Sequence, residues 1–556
     1  MPVTPRRAGE AGFALVTVMG TLLVATLLSI AAFAAVNGDA RESGKDVGRK
    51  QALAAAEAGV NDYLFRLNLD NGFWAKCTNI TGATPVNDVW NGTLPDPRKW
   101  RSVPGSNAQY TIELLPVAPY TKCTPGDQVT ASMIDRSSRT LRIRVTGRVP
   151  TANGMDYRSL IAAVKRDGFL DFLYFTDYET SDAVWYALST QNKATTPDNP
   201  ADGDVISWAA NTCNKTYWRQ GRGSLQWTGK YTGTSTRLTV NCSQIQFASK
   251  DVVAGPLHTN DDLYTCDNPT FGRDAQDRIE SGDGYRTACG ASAVPNFKGT
   301  FLKKQKTIGM PATNASLATV AAPAYHFYGA QRITLGAGTI SVVPLGGGAT
   351  KTLAYPANGV IYVSNSGACP AYNALNPDSF PATCGNVRLS GTYDDDLTIA
   401  TENDIVIDGD VRRSGDSMLG LIANQFIRVA NPSTAATADH DPPPAGKSQQ
   451  DWCENAAGTA NRTIEAAILS LQHSFTVDNY YCGHPIGTLT VKGVIAQKFR
   501  GPVGTGGSSG AVTGYIKNYQ YDDRLAYRSP PNFLDPVQSA WRIARYTEQA
   551  PARGVR

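Results

Sequence analysis

The sequence predicts a mainly β chain hung on one long N-terminal α-helix, with a small antiparallel sheet after the helix and a parallel β-helix, or solenoid, beyond it. A β-sandwich is the alternative for that last part. Three observations predict this. Residues 13 to 36 are apolar without a break and lead into alanine-rich helix formers as far as about Leu69. Residues 73 to 166 alternate apolar and polar side chains with the period of two that half-buried strands show. From residue 167 onward the apolar stretches shorten to a few residues and end in Gly, Asn or Asp.

The helix comes first. Residues 13 to 36 run for 24 positions without a charge, which at about 1.5 Å per residue exceeds a hydrocarbon core of about 30 Å. Arg6 and Arg7 precede it, so the positive-inside bias keeps the N-terminus cytoplasmic and places everything after Val36 outside. A cleaved secretory signal is the competing reading, but its apolar run is shorter and ends in a small-residue cleavage site. Past the span, Arg49 to Val60 are strong helix formers, with apolar residues at 53, 56, 60, 64 and 67 on one face. Asn37-Gly38 and Ser43-Gly44 are weak helix positions and mark where the helix would bend.

Bulk properties bound the rest. A chain of 556 residues is too long for one small core and implies several domains. Net charge is +4 with 18% charged residues and no basic stripe to track phosphates stands out, so no nucleic-acid partner is expected. The ten cysteines are Cys77, Cys123, Cys213, Cys242, Cys266, Cys289, Cys369, Cys384, Cys453 and Cys482. None sits in a CxxC pair that could bite one zinc ion, and an even number after a membrane segment reads as disulfides in an oxidising compartment. If sequence neighbours pair, the bonds are 77–123, 213–242, 266–289, 369–384 and 453–482; spacing alone leaves other connectivities open.

The leader carries a resemblance. Arg6-Arg7, then Glu10-Ala11-Gly12 followed by Phe13-Ala14-Leu15-Val16 and the apolar helix, is similar to the signal of type IV prepilins and pseudopilins. The resemblance implies cleavage between Gly12 and Phe13 by a prepilin peptidase, methylation of Phe13, and packing of the helix among other pilin-like subunits. Major pilins have glutamate at the fifth mature position; here it is Thr17, a loss typical of PilX and GspK-like minor pilins. The stretch Ala52-Leu53-Ala54-Ala55-Ala56-Glu57-Ala58-Gly59-Val60 is also similar to the segment after the anchor in those proteins. An alanine-rich helix packing on its own globular domain explains that stretch equally well. The implied layout is a leader (1–12), membrane half-helix (13–36), outer half-helix (37–70) and pilin-like sheet (73–166). A solenoid ectodomain (167–520) and a C-terminal tail (521–556) follow, the tail with a short helix over Val537 to Tyr546.

Within 73–166 the strands expected are Gln109 to Leu114, Arg139 to Val145 and Ser159 to Lys165. In the body the rungs expected include Val252 to Asn260, Gly359 to Val363, Asn386 to Gly391, Leu397 to Ala400, Asp404 to Asp410, Leu419 to Asn424 and Leu489 to Ala496, each too short to form a sandwich sheet alone. The segments Gly255 to Asn260 and Thr488 to Gly493, with Tyr521 to Leu525 and Pro530 to Leu534, resemble large PilX-like envelope proteins with a solenoid ectodomain. Asn431 to Gln450 and Gly501 to Gly510 read as loops, from their Pro, Gly and Ser content.

Catalytic chemistry has one candidate. Asp394, Asp395 and Asp396, with Asp408 and Asp410, could bring carboxylates together on neighbouring rungs for acid, base or calcium work on a polysaccharide. Acidic turn residues explain them as well. The five histidines, His258, His326, His440, His473 and His484, stand apart with no HExxH, so no metal and no cofactor is expected. No Walker sequence occurs, and the one GxSxG match, Gly506 to Gly510, lies in a Gly- and Ser-rich loop with no strand-to-helix elbow around it, which removes the support for hydrolase and nucleotide readings. The expectation is a non-catalytic, single-pass inner-membrane protein with an extracytoplasmic body that takes part in pilus-like assembly or surface adhesion. The alternative is an anchored β-helix protein that binds or degrades a surface glycan.

Overall fold

The computed structural model describes residues 11–70, 73–77, 100–125, 132–135, 140–152, 154–166, 168–186, 201–230, 237–242, 245–287, 294–373, 377, 379–432, 460–507, 510–526, 528–536 and 541–550. It divides into one unit of residues 1–166 with 541–556 and a second of residues 167–540.

In the first unit, helix α1 spans Ala11–Leu69, with side chains described for 18–32 and 46–69. The side chains of 33–45, where the bend is expected, lie outside those described. Among the described residues no helix is long and apolar enough to cross a membrane. Strands β1 (Gln109–Leu114), β2 (Thr140–Thr151) and β3 (Gly154–Arg166) form an antiparallel sheet, with Ile112 opposite Val145 and Val145 opposite Leu160. Short strands Arg101–Ser102 and Ile134–Asp135 add to β1 and β2.

The outer half of α1 lies on this sheet. Ala56, Val60 and Leu67 are buried as the apolar spacing predicts, while Leu53 and Leu64 are half-buried and Ala52, Ala55 and Tyr63 take inner places. The seam is made of small residues because the backbones come close. A Cβ on Gly59 would stand 2.6 Å from Val145, and one on Gly147 of β2 would stand 2.6 Å from the Ala56 nitrogen and strike the Ala52 carbonyl oxygen. The alanine-rich stretch is therefore explained by packing on the chain's own sheet.

The C-terminal residues correct one expectation. Trp541–Gln549 is a strand, not part of a helix over Val537 to Tyr546, and pairs antiparallel with β3 so that Ile543 faces Val164 and Glu548 faces Leu160. A short segment carrying Trp541, Ile543 and Tyr546 fits either period, and the open edge of β3 supplies a ladder that an isolated helix lacks. Nor do residues 541–549 form a tail: they complete the first unit's sheet.

The second unit is built from parallel ladders. Strands β4 (Tyr174–Ser181), β5 (Val252–Ala254), β6 (Leu257–Thr259), β7 (Thr270–Phe271), β8 (Arg278–Ser281), β9 (Asn296–Phe297) and β10 (Thr300–Leu302) come first in the chain. After them come β11 (His326–Tyr328), β12 (Val360–Ser364), β13 (Leu397–Thr401), β14 (Leu419–Ala423), β15 (Arg462–Ser470), β16 (Pro485–Arg500) and β17 (Gly510–Tyr521). The principal ladder runs β11, β12, β13, β14, β15, β16, then β4, β6, β8, β10, every pair parallel. Its spatial order is not its chain order, because the late segment ends against the first strand of the early one.

One column of inward side chains passes through this join without interruption: Ile361, Ile399, Leu421, Ile468, Ile495, Tyr174, Leu257, Ile279, each aligned with the next and each buried. Such near-continuous apolar strands are what parallel pairing with covered faces requires. A parallel neighbour on β17 and β5 seals the join a second time, with Tyr519 opposite Val253.

Because the early segment ends at β10 and the late one starts at the far end with β11, residues 303–325 must travel the length of the stack. They do so as a strap. Gln305 N donates to Ser281 O at the end of β8, Ile308 exchanges bonds with Asn260 beyond β6, and Gln472 donates to Ala312 O. Asn314 then donates to Thr401 O and Ile422 O and accepts from Tyr362 OH at 3.0 Å. Gln305 to Asn314 covers about 30 Å fully extended, and the rungs it crosses, at about 4.8 Å each, need about 24 to 29 Å.

Two local features depart from the sequence reading. Ala201–Asn211 forms a helix that the Gly and Asp residues within it conceal, and Val205 and Ala209 of it pack on Ala183 and Tyr186. Within Gly501 to Gly510, Gly504–Gly507 is a strand paired antiparallel with β17. Residues 433–459, most of the other expected loop, lie outside the described residues.

Candidate functional site

The residues proposed from the leader fall at the start of α1. Gly12 and Phe13 are helical in backbone, their side chains lie outside those described, as does Thr17, and residues 1–10 are not described. From Val18 to Ile30 the large apolar side chains Val18, Met19, Leu22, Leu23, Val24, Leu27, Leu28 and Ile30 are each more than half exposed. They point all round the helix, which water penalises by roughly 25 cal/mol per Å² of apolar surface. The outer half is held by polar contacts as well as by its small face. Asp62 pairs with Arg66 at 3.1 Å and with Arg101, and accepts from Tyr110 OH at 3.1 Å. Asn68 closes a pair of bonds with the Trp541 backbone, donating to its carbonyl at 3.2 Å and accepting from its N–H at 2.6 Å.

Disulfides join Cys77 to Cys123, Cys213 to Cys242, and Cys369 to Cys384. Cys266 and Cys482 are also disulfide-bonded; Cys289 and Cys453, their expected partners, lie outside the described residues.

The acidic run does not converge. Asp394 accepts the Gly338 N–H through both oxygens, at 3.0 and 2.8 Å. Asp395 caps the N–H of Asp396, which in turn accepts Met418 N at 2.9 Å and pairs with Arg528. Asp408 stands 3.3 Å from Arg332, while Asp410 is held by Arg412 and the Thr463 N–H. Burial works to raise the Asp410 pKa, but the Thr463 N–H and the Arg412 guanidinium outweigh it and lower it. Each carboxylate therefore closes a turn or joins a rung to its neighbour, and no two share a proton or a vacant ligand position. Among the described residues no group of three His, Cys, Asp or Glu side chains could hold a metal ion.

The histidines are likewise spent on local partners. His326 Nε2 meets Ser364 Oγ at 2.9 Å, and His484 sits exposed before β16, while His440 is outside the described residues. His473 lies between Asp182, 2.7 Å from its Nδ1, and the Phe426 ring, stacked at 4.3 Å. Burial lowers its pKa, yet the Asp182 charge and hydrogen bond prevail and raise it above 6.5. A raised folded pKa stabilises the chain fully below the unfolded value and ceases to do so as pH rises through the folded one. The thermal midpoint of His473→Gln should accordingly lie below that of the parent chain at pH 5, with the gap closing by pH 9. A gap that is constant with pH would show that the pair contributes nothing through protonation.

A second cluster, which sequence reasoning missed, sits where β16 meets β4. Arg500, at the end of β16, donates to Glu179 at 3.1 Å and to Ile245 O at 3.0 Å, with its guanidinium over the Phe247 ring. Arg222 pairs with Asp261 and donates to Glu179 O at 3.0 Å, and Asp261 also accepts Trp218 N at 2.8 Å. His258, stacked on Phe175, meets Glu280 at 2.8 Å and Asn260 at 3.0 Å. Burial raises the Glu179 pKa despite the adjacent Arg500. Glu179, Asp261, His258, Arg222 and Arg500 are all at most 2% exposed, so the cluster offers no access to a substrate. Through Arg500 it ties the late segment to Glu179 and the Ile245 carbonyl of the early one. Its members lie up to 321 residues apart, and no spacing could have announced it.

No family model matches the chain, and no curated protein matches it. Among solved structures, one that aligns is the crystal structure of the competence-associated pilin ComZ from Thermus thermophilus, at 10% identity and a TM-score of 0.25, covering 90% of this chain and 97% of that one. A likeness at that level supports no inference about this chain.

Proposed function

We propose that the chain is a non-catalytic, membrane-anchored pilin-like subunit of the minor or terminal kind, carrying a parallel β-helix head for display outside the inner membrane. One observation carries this reading: α1 has two halves with different environments. Residues 46–69 bury a small-residue face on the chain's own sheet, whereas the large apolar side chains described in 18–32 lie all round the helix and find no cover among the described residues. A lipid bilayer, or a bundle of like helices within one, is the surrounding that such a surface takes. The Gly12/Phe13 leader supplies the route there, and the neutral Thr17 removes the ion pair expected of a repeating shaft subunit. The paired state of Asp394, Asp395, Asp396, Asp408 and Asp410 supports a head that binds rather than cleaves.

Mass spectrometry of the mature N-terminus tests the reading. The expected chain begins at N-methylated Phe13, and Gly12→Ala accumulates the uncut form. A mature chain that still bears Met1, or one that starts after Ala35, would sink it.

A further inference from the structure

Strand β17 is longer than its neighbour on one side. It pairs with β5 only at Asn518 to Gln520, and beside Tyr515, Ile516 and Lys517 the opposite wall is the irregular segment 245–251. The gap is a cavity of about 350 Å³ with Gly504 and Gly506 at its other side. That volume is at the small end of ligand sites, about 300 to 1,000 Å³. It is reachable from outside, because Lys250 and Ile516 on its lining are exposed.

Its polar groups are unusual for a gap between strands. Lys517 lies on the inward-facing side of β17, in step with buried Tyr515 and Tyr519. Its ammonium reaches Asp251 Oδ2 at 2.6 Å, and that oxygen also accepts Ala248 N at 2.9 Å. Asp251 thus fixes the amine while leaving two of its three N–H donors without a protein acceptor among the described residues. Gln246, also on the lining, makes no hydrogen bond among the described residues, and Thr505 adds a hydroxyl. The lining carries two basic residues, Lys250 and Lys517, and one acidic residue, Asp251. Burial holds the Lys517 pKa below that of an ordinary lysine, and an anion beside it would offset that cost.

We propose that this cavity binds a carboxylated sugar, the hexuronate unit of an acidic glycan. The carboxylate meets the unspent donors of Lys517; ring hydroxyls meet the Gln246 amide and the Thr505 hydroxyl; and the glycine backbone lets the ring approach closely. A bare small anion would leave most of the cavity unfilled, and a neutral sugar would offer the two remaining N–H donors of Lys517 no charged acceptor. The inference concerns the head alone and does not depend on how the chain is anchored.

Calorimetric titration of the full chain in detergent micelles with D-glucuronate, D-glucose and acetate tests it. Glucuronate should bind at least about tenfold more tightly than glucose or acetate, and Lys517→Met should abolish the difference. Gln246→Leu, which leaves the Lys517 to Asp251 pair intact, should weaken glucuronate by about three- to tenfold and decides the matter if Lys517→Met fails to fold. Equal binding of glucose and glucuronate, glucuronate binding indifferent to Gln246→Leu, or no binding up to about 50 mM would each overturn the proposal, whatever the state of the N-terminus.

Discussion

Gly147→Val should detach the outer half of α1 from its sheet. The Cβ that valine adds meets helix backbone, the Ala52 carbonyl oxygen and, at 2.6 Å, the Ala56 nitrogen. No rotamer change relieves a clash with backbone, so the helix must lift, opening the seam of Ala52, Ala55, Ala56 and Val60. Overpacking of this kind costs about 1 to 3 kcal/mol, more where backbone must move, and exposure of the apolar seam brings the expected destabilisation to about 4 kcal/mol. Denaturant unfolding followed by amide exchange in residues 46–69 is the measurement. A parent-like midpoint with protected helix amides would refute so close an approach of helix and sheet. If the chain works as an assembly subunit, the same variant should insert in the membrane normally yet present its sheet loosely.

Arg428→Met is expected to be comparably severe for the second unit. Arg428, 1% exposed, donates through Nε to Asp404 at 3.2 Å and through Nη1 to both oxygens of Asp478 at 2.8 Å, and it reaches Pro377 O at 2.9 Å. Methionine fills much of the volume but leaves two buried carboxylates without their cation. Breaking a buried pair by removing one partner costs about 3 to 5 kcal/mol. Arg428→Lys should recover only part of this, since an ammonium lacks the planar fork that serves two carboxylates and a carbonyl together. Urea titration of the three chains gives the order; a methionine variant within about 1 kcal/mol of the parent would show that the residues around Asp404 and Asp478 admit water.

Much of the architecture was legible where period and composition act alone. The apolar run before Val36, the alternation in Gln109 to Leu114 and the short strand at Leu419 to Ala423 each state their local preference plainly. What could not be read was pairing between distant segments. Trp541 to Gln549 has a pattern that suits helix or strand, and only the open edge of β3 decides it. The order of the rungs is equally silent in sequence, because the apolar column joining Ile495 to Tyr174 depends on register and not on spacing. The aspartates suggested chemistry through their density, yet each is consumed by a turn or an arginine. Lys517 drew no notice, since a single lysine on a strand looks like a solvated residue until the missing stretch of neighbouring ladder is seen.

The place of β4 in the stack has a consequence for how the chain matures. One of its edges is covered by β6, about 80 residues downstream, but the other waits for β16, with Glu179 and Arg500 separated by 321 residues. A chain made N-terminus first therefore holds a strand edge and the inward face of Tyr174 open until residues 485–500 have been made. Contacts of such long range make closure late and slow, and an unpaired edge invites association with other chains in the interval. A product truncated before Pro485 would leave that edge of β4 without its partner.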